Sequence, residues 1–341
     1  MCSTIASKQS GVKQTTPAAS KKPTKGVSLG SSPRVFPRPE YPPWTKAVWS
    51  LIYSNFYQAG VHGAVLCLIL FPIYTACRSF AIKYEISNQV FFALLLSSAH
   101  TLPYTTNNFF YWLCDEFKWF QGYKLERKEY MKAKPALMTK MATEALIGQL
   151  VTGPIFAYLL YPAFVHFGML DLDAPLPTFA SMFKTFVVGY TFNDVGFYFT
   201  HRLFHSKLLY KRFHKQHHEF VGTVSFSAEY ADPVEIIIAN QIPTVGGVLF
   251  FACHPLSVSV WIMMRLQQTY EAHSGYCFEN TLLAKVGILH PGSAVFHDHH
   301  HTSNMGNFGS FFLDWAFGTM DHYLSAGGYR GYIDKKKKGG V

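Results

Sequence analysis

The sequence predicts an all-α integral membrane protein: four or more transmembrane helices, paired as hairpins, carrying a cytosolic helical cap. Three observations predict it. Charged residues make up only 15% of the 341 and aromatic residues 17%, whereas a soluble domain carries about 25% charge, so too little polar surface is available to coat the chain in water. Apolar runs near the roughly 20 residues that a bilayer demands recur along the chain. The basic residues behind the net charge of +10 sit in tails and loops that flank those runs. Membrane orientation distributes Lys and Arg in this way, and a nucleic-acid surface does not, so nucleic acid is excluded as a partner.

Residues 1–45 are rich in Ser, Thr, Lys and Pro, with seven Lys or Arg and no acid before Glu40, and are expected to form a disordered basic tail. Neither an Arg-rich amphipathic period nor an apolar signal core is present in it. Residues 46–184 are expected to hold transmembrane hairpins and a cytosolic loop. The run at 59–81 reads as a first crossing, and 89–113, which contains Pro103 and the Asn107-Asn108 pair, as its partner. The segment 115–140 carries Lys118, Lys124, Arg127, Lys128, Lys132, Lys134 and Lys140, which marks it as cytosolic. Runs at 145–168 and 179–199, separated by the acidic turn LDLDAPLP, read as crossings three and four. The run at 236–261 is broken by Pro243, Gly246-Gly247 and Pro255, which suits a bent or re-entrant hairpin that returns to its starting side.

Paired crossings place both tails and the 115–140 loop on one face, which the positive-inside rule assigns to the cytosol. The basic C-terminal tail, 326–341, ends in the run Lys335 to Lys338 followed by Gly-Gly-Val, close in form to a dilysine retrieval signal for the endoplasmic reticulum. The six cysteines are scattered without a CxxC pair, so they form neither a disulfide framework nor a zinc ribbon.

Twelve of the sixteen histidines fall between 201 and 301. His201 and His205 are spaced i, i+4, while His214, His217, His218 and His297, His300, His301 each repeat i, i+3, i+4, so on a helix each set lies along one face. With His273 they make nine candidate ligands. A single zinc takes four ligands, or three when catalytic, so the count points to two metals with four or five imidazoles each, a donor set that suits zinc, copper, nickel or iron. The remaining seven, His62, His100, His166, His254, His290, His299 and His322, read as core or surface histidines. Ligand rings need acids to orient them; Asp194, Asp298 and Asp314 are the candidates, Asp194 preceding His201 by seven residues and the other two lying within and just after the last cluster.

The blocks NDVGFYFTHRLFH, YKRFHKQHHEF, SAEYADPVE, RLQQTYEAHSGY and FHDHHHTSNMGNFGSFFLD, with GT following, resemble the fatty acid hydroxylase superfamily of membrane di-iron oxygenases over residues 185–325. Within it, SAEYADPVE and EAHSGY are similar to sterol C-4 methyl oxidases. The resemblance implies a monooxygenase with two iron ions bound by the three histidine boxes and His273. It implies O2 as cosubstrate, and electrons from NAD(P)H delivered by an external cytochrome b5 and its reductase. Redox-active iron can make the oxidant that an unactivated C–H bond requires, and zinc cannot. The expected substrate is a 4-methylsterol. A fatty acyl hydroxylase, a sterol desaturase and an aldehyde-cleaving oxygenase use similar boxes and stand as alternatives, and a metal-binding membrane lipid scaffold is the alternative outside the enzymes.

Overall fold

Proline pairs, N-caps and apolar runs set the helices of this chain one after another in a computed structural model that describes residues 39–126, 132, 134–251, 253–290 and 292–338. The basic tail expected at 1–45 therefore lies largely outside the described residues. Helix α1, Trp44–Lys83, starts directly after Pro42-Pro43 and runs for 40 residues, about 60 Å at 1.5 Å per residue. Its two halves do different work. A π-helical turn at Tyr53–Gln58 buries Asn55 and Gln58, and Gln58 Nε2 donates to the Leu289 carbonyl at 2.9 Å. Beyond it the helix is almost purely apolar.

Ser87 caps α2, Asn88–Glu116, by accepting from the Val90 N–H at 3.3 Å, satisfying one of the orphan donors of the first turn. Helix α3, Pro135–His166, begins ahead of the expected 145 because Pro135 at its first position presets φ and has no N–H to orphan. Thr178 caps α4, Phe179–Phe204, and Asp232 Oδ1 caps α5, Pro233–Leu249, by accepting from Val234 N at 2.8 Å. The chain then comes back as α6, Pro255–His273, capped by His254. The segment read as one broken hairpin is thus two helices, joined where Pro255 starts the second.

Helices α4, α5 and α6 pack closely through small residues. A Cβ on Gly189 of α4 would stand 2.7 Å from the Trp261 ring, so only glycine lets that indole lie flat against the helix. Trp261 also donates its Nε1–H to the Thr244 carbonyl at 2.8 Å, tying α6 to α5. Around this seam the core of Met182, Phe186, Tyr190, Leu256 and Val258 is fully buried.

The loops gather at two ends. At one end Tyr74 and Arg78 of α1 donate to carbonyls of Leu172 and Ala174, and Leu170 N donates to the Cys253 carbonyl. At the other end lie the start of α1, the ends of α2, α4 and α6, and the short helices α7 (Ser293–Ser303), α8 (Phe311–Ala316), α9 (Asp321–Ser325) and α10 (Gly328–Lys338). The 115–126 segment sits at this second end as well, where Leu125 N donates to the Gly275 carbonyl at 2.7 Å. Among the described residues there is no strand, only an isolated bridge between Lys124 and Tyr276.

Large apolar side chains stay on the outside: Leu68 is 80% exposed, Leu159 67% and Leu150 64%. Such a surface is that of a membrane protein. Two helices, α1 and α3, are long and apolar enough to cross a bilayer. Helices α2 and α4, at 29 and 26 residues, match the length, but their inner faces bury Asn107, Asn108, Thr185 and Asn193, which lowers their mean hydropathy.

Candidate metal centre

Helix α4 ends in the first histidine box: His201 lies in its last turn and His205 is its C-cap residue. The second box is not one regular helix. A π-helical turn covers Tyr210–His214 and a 3-10 turn covers His217–Glu219, with His214 and His218 aimed at one point and His217 at another. Helix α6 delivers His273 as its last residue. Helix α7 supplies His297, His300 and His301; it is entered through Gly292 at φ 75° and left through Asn304 at φ 55°.

These nine rings assemble into two groups. His201, His205, His214, His218 and His300 bring ligand nitrogens within 4.8 Å of one another, and His217, His273, His297 and His301 do the same. The second and third boxes each divide between the groups. The groups adjoin, with the rings of His218 and His301 stacked at 4.5 Å between centroids.

Proton positions follow from the partners. Nδ1 of His201 lies 2.8 Å from the Phe308 carbonyl, that of His300 2.6 Å from Gly306 O, and that of His217 3.2 Å from Tyr230 O. Nδ1 of His273 lies 2.9 Å from Thr269 O and that of His301 3.1 Å from Phe220 O. A carbonyl only accepts, so each of these Nδ1 atoms carries the ring proton and its Nε2 keeps a bare lone pair. Nε2 atoms converge in both groups: 3.2 Å separates His201 from His214, 3.1 Å His205 from His300, 2.9 Å His297 from His273 and 3.1 Å His301 from His297. Burial, joined by neighbouring imidazoles, pushes His205 down to about 2, and burial pushes His217 down to about 4, so both rings are neutral. The bare Nε2 lone pairs of His201 and His300 in one group, and of His217, His273 and His301 in the other, face one another within 4.8 Å and repel unless a cation lies between them, so the donor set fits two metal ions.

The acids fall into three positions. Asp314 accepts from the backbone N–H groups of Phe308 (2.9 Å) and Gly309 (3.1 Å), and thereby holds the carbonyl that orients His201; burial pushes its carboxyl up to about 7. Asp298 accepts from Thr223 Oγ1 at 3.2 Å, tying α7 to the loop after the second box. Asp194 is hydrogen-bonded to Asn55 and interacts electrostatically with Arg265. Glu235 was not singled out from the sequence, yet its Oε1 lies 2.8 Å from His214 Nδ1. Its only sequence signal is its place at the end of the acidic block SAEYADPVE.

Histidines outside the nine have other partners: His290 with Glu271, His100 with Glu229 and His299 with His322. A cavity of about 90 Å³ adjoins the second group, lined by Asp194, Phe197, Arg265, Thr269, His273 and His297 among others. The site therefore sets a neutral imidazole cluster against a small pocket with a polar wall.

A family model described as fatty acid hydroxylase matches residues 186–319. A Dictyostelium discoideum protein provisionally named a methylsterol monooxygenase is 34% identical over 226 residues, covering 66% of this chain and 80% of its own length. Methylsterol monooxygenase 2-2 of Arabidopsis thaliana is 33% identical, covering 58% of this chain and 78% of its own. Very-long-chain aldehyde decarbonylase GL1-11 of Oryza sativa subsp. indica is 31% identical, covering 63% and 80%. No solved structure matches the chain.

Proposed function

Because the chain belongs to the fatty acid hydroxylase family, and is accordingly an oxidoreductase of the monooxygenase kind, we propose that it oxidises a C-4 methyl group of a sterol with two iron ions and O2. The observation that carries this reading is the convergence of Nε2 lone pairs in two adjoining groups. His201, His205, His214, His218 and His300 would hold one iron, and His217, His273, His297 and His301 the other. Bound iron supplies the redox chemistry for attack on an unactivated C–H bond.

The protein's own groups do the positioning. Backbone carbonyls of Phe308, Gly306, Tyr230, Thr269 and Phe220 fix the tautomer of five rings. Asp314 stiffens the first of these carbonyls, Asp298 ties the segment after the second box to α7, and Asp194 serves the pocket beside His273 and His297. The cluster is buried, which excludes bulk water from the reacting carbon.

In the same reading 46–184 are membrane hairpins with a cytosolic loop, 185–325 the hydroxylase domain and 326–341 a basic tail. At least α1 to α4 cross the bilayer of the endoplasmic reticulum, and the histidine end forms a cap facing the cytosol. Electrons come from NAD(P)H through a cytochrome b5-type donor and its reductase. The sterol substrate reaches the pocket from the lipid.

The test is expression in cells that lack sterol methyl oxidase activity, followed by lipid profiling. Loss of accumulated 4-methylsterols supports the reading, and growth with no change in them sinks it. A second reading, an aldehyde-cleaving oxygenase, is favoured by the decarbonylase relatives that match over a similar length. Its mark in the same experiment is hydrocarbon formed from long-chain aldehyde.

A further inference from the structure

Arg265 is unusual among the buried groups near the centre. It is 8% exposed, yet its Nε has no hydrogen-bond partner among the described residues. Its Nη1 donates to Thr269 Oγ1 at 2.6 Å, and its guanidinium lies over the Phe197 ring at 5.5 Å. A buried guanidinium is ordinarily saturated with acceptors, and an N–H left without one costs free energy unless a ligand completes it. Arg265 lines the cavity that His273 and His297 also line.

Asp194 stands in the same wall, hydrogen-bonded to Asn55 and within the field of the Arg265 charge. The pair makes the wall close to neutral overall while offering both a donor and an acceptor. A carboxylate would be drawn by Arg265 and repelled by Asp194. A ketone would satisfy the donor and leave the acceptor idle. A hydroxyl accepts from one and donates to the other.

His273 and His297 of the four-histidine group line the same cavity as Arg265 and Asp194, so a ligand whose polar group meets this wall lies beside that group.

We infer that Arg265 and Asp194 form a hydroxyl-binding subsite that selects substrates bearing an alcohol near the oxidised carbon. A sterol with a 3-hydroxyl beside its C-4 methyl meets this requirement. The inference rests on the oxygenase reading above and deepens it by naming the recognised group. Arg265 and Asp194 are specificity residues here, and the metal groups are complete without them.

The experiment uses the full chain, iron-loaded and reconstituted in lipid nanodiscs. Equilibrium binding of a radiolabelled 4,4-dimethylsterol is compared with that of its 3-deoxy analogue, so the readout does not depend on turnover. The wild type is expected to favour the 3-hydroxyl sterol by roughly 10- to 100-fold, the scale of a buried charge-assisted hydrogen bond. Arg265→Met alone leaves the Asp194 charge uncompensated and can cost stability. The double variant Asp194→Leu/Arg265→Met removes both charges together with the donor and the acceptor, and is expected to bind both sterols equally with its iron content unchanged. Equal binding of both sterols by the wild type, or full discrimination retained by the double variant, overturns the inference while leaving the sterol oxidase reading intact. If neither sterol binds, a long-chain 1-alkanol and its alkane take their place: a preference for the alkanol that the double variant loses sustains the subsite and discards the sterol, and no preference discards the subsite as well.

Discussion

Glu235 Oε1 lies 2.8 Å from Nδ1 of His214, the imidazole whose Nε2 is 2.9 Å from that of His205 and 3.0 Å from that of His218. The carboxylate is 3% exposed and sits at the start of α5, so one helix start fixes the central ring of the five-histidine group. Outer partners of this kind orient ligand rings and raise their basicity.

Glu235→Gln is therefore expected to weaken metal binding at that group by about 10- to 100-fold, while the four-histidine group keeps its metal. Titration of the metal-free protein with Fe(II), followed by metal analysis, measures this. Two equivalents held at wild-type affinity would show that the Glu235 contact plays no part in holding the ligand.

His300→Ala and His217→Ala remove one ring from the five- and four-histidine groups respectively. Each is expected to abolish turnover and to bring the stoichiometry from two metals per chain toward one, because the other group retains its set. Both variants should still insert, since the apolar helices need no metal to enter a bilayer. Loss of both metals from either variant would mean that the two groups bind as one unit.

Asp314→Ala frees the N–H groups of Phe308 and Gly309 and loosens the carbonyl that holds His201 Nδ1 at 2.8 Å. A fall of about 10-fold in kcat with little change in KM is the expected pattern, because the group acts on ring orientation and does not touch the substrate. A rise in KM at constant kcat would place Asp314 in substrate binding instead.

Spacing alone carries part of this site. The i, i+4 pairs His201/His205, His214/His218 and His297/His301 each stay in one group, as helical spacing dictates, while His217 and His300, each three residues after the first member of a pair, go to the other group. The same split occurs on the regular helix α7 and across the π and 3-10 turns at 210–219. Which pair meets which is not legible in that way, because it is set by how α4, α6 and α7 pack, and no local spacing encodes that. Asp194 shows the other limit. Its separation from His201 suits a shared helical face, but tertiary packing sets it against Arg265, which approaches from α6 some seventy positions later in the chain. The helices follow the apolar runs closely. The start of α6 does not, because Pro255 can start a helix as readily as it can kink one.

The close seam between α4 and α6 gives a prediction about stability. A Cβ at Gly189 would meet the Trp261 ring at 2.7 Å, and the indole cannot retreat easily because its Nε1–H is bound to the Thr244 carbonyl. Overpacking of such a site costs about 1 to 3 kcal/mol. Gly189→Ala is thus expected to lower the thermal midpoint in detergent, and Gly189→Val to lower it further. Trp261→Phe in the Gly189→Ala background makes room and removes the tether, so it should recover part of the loss relative to Trp261→Phe alone. Strictly additive effects of the two substitutions would show that the glycine does not serve the indole, and that the seam is held elsewhere along α4.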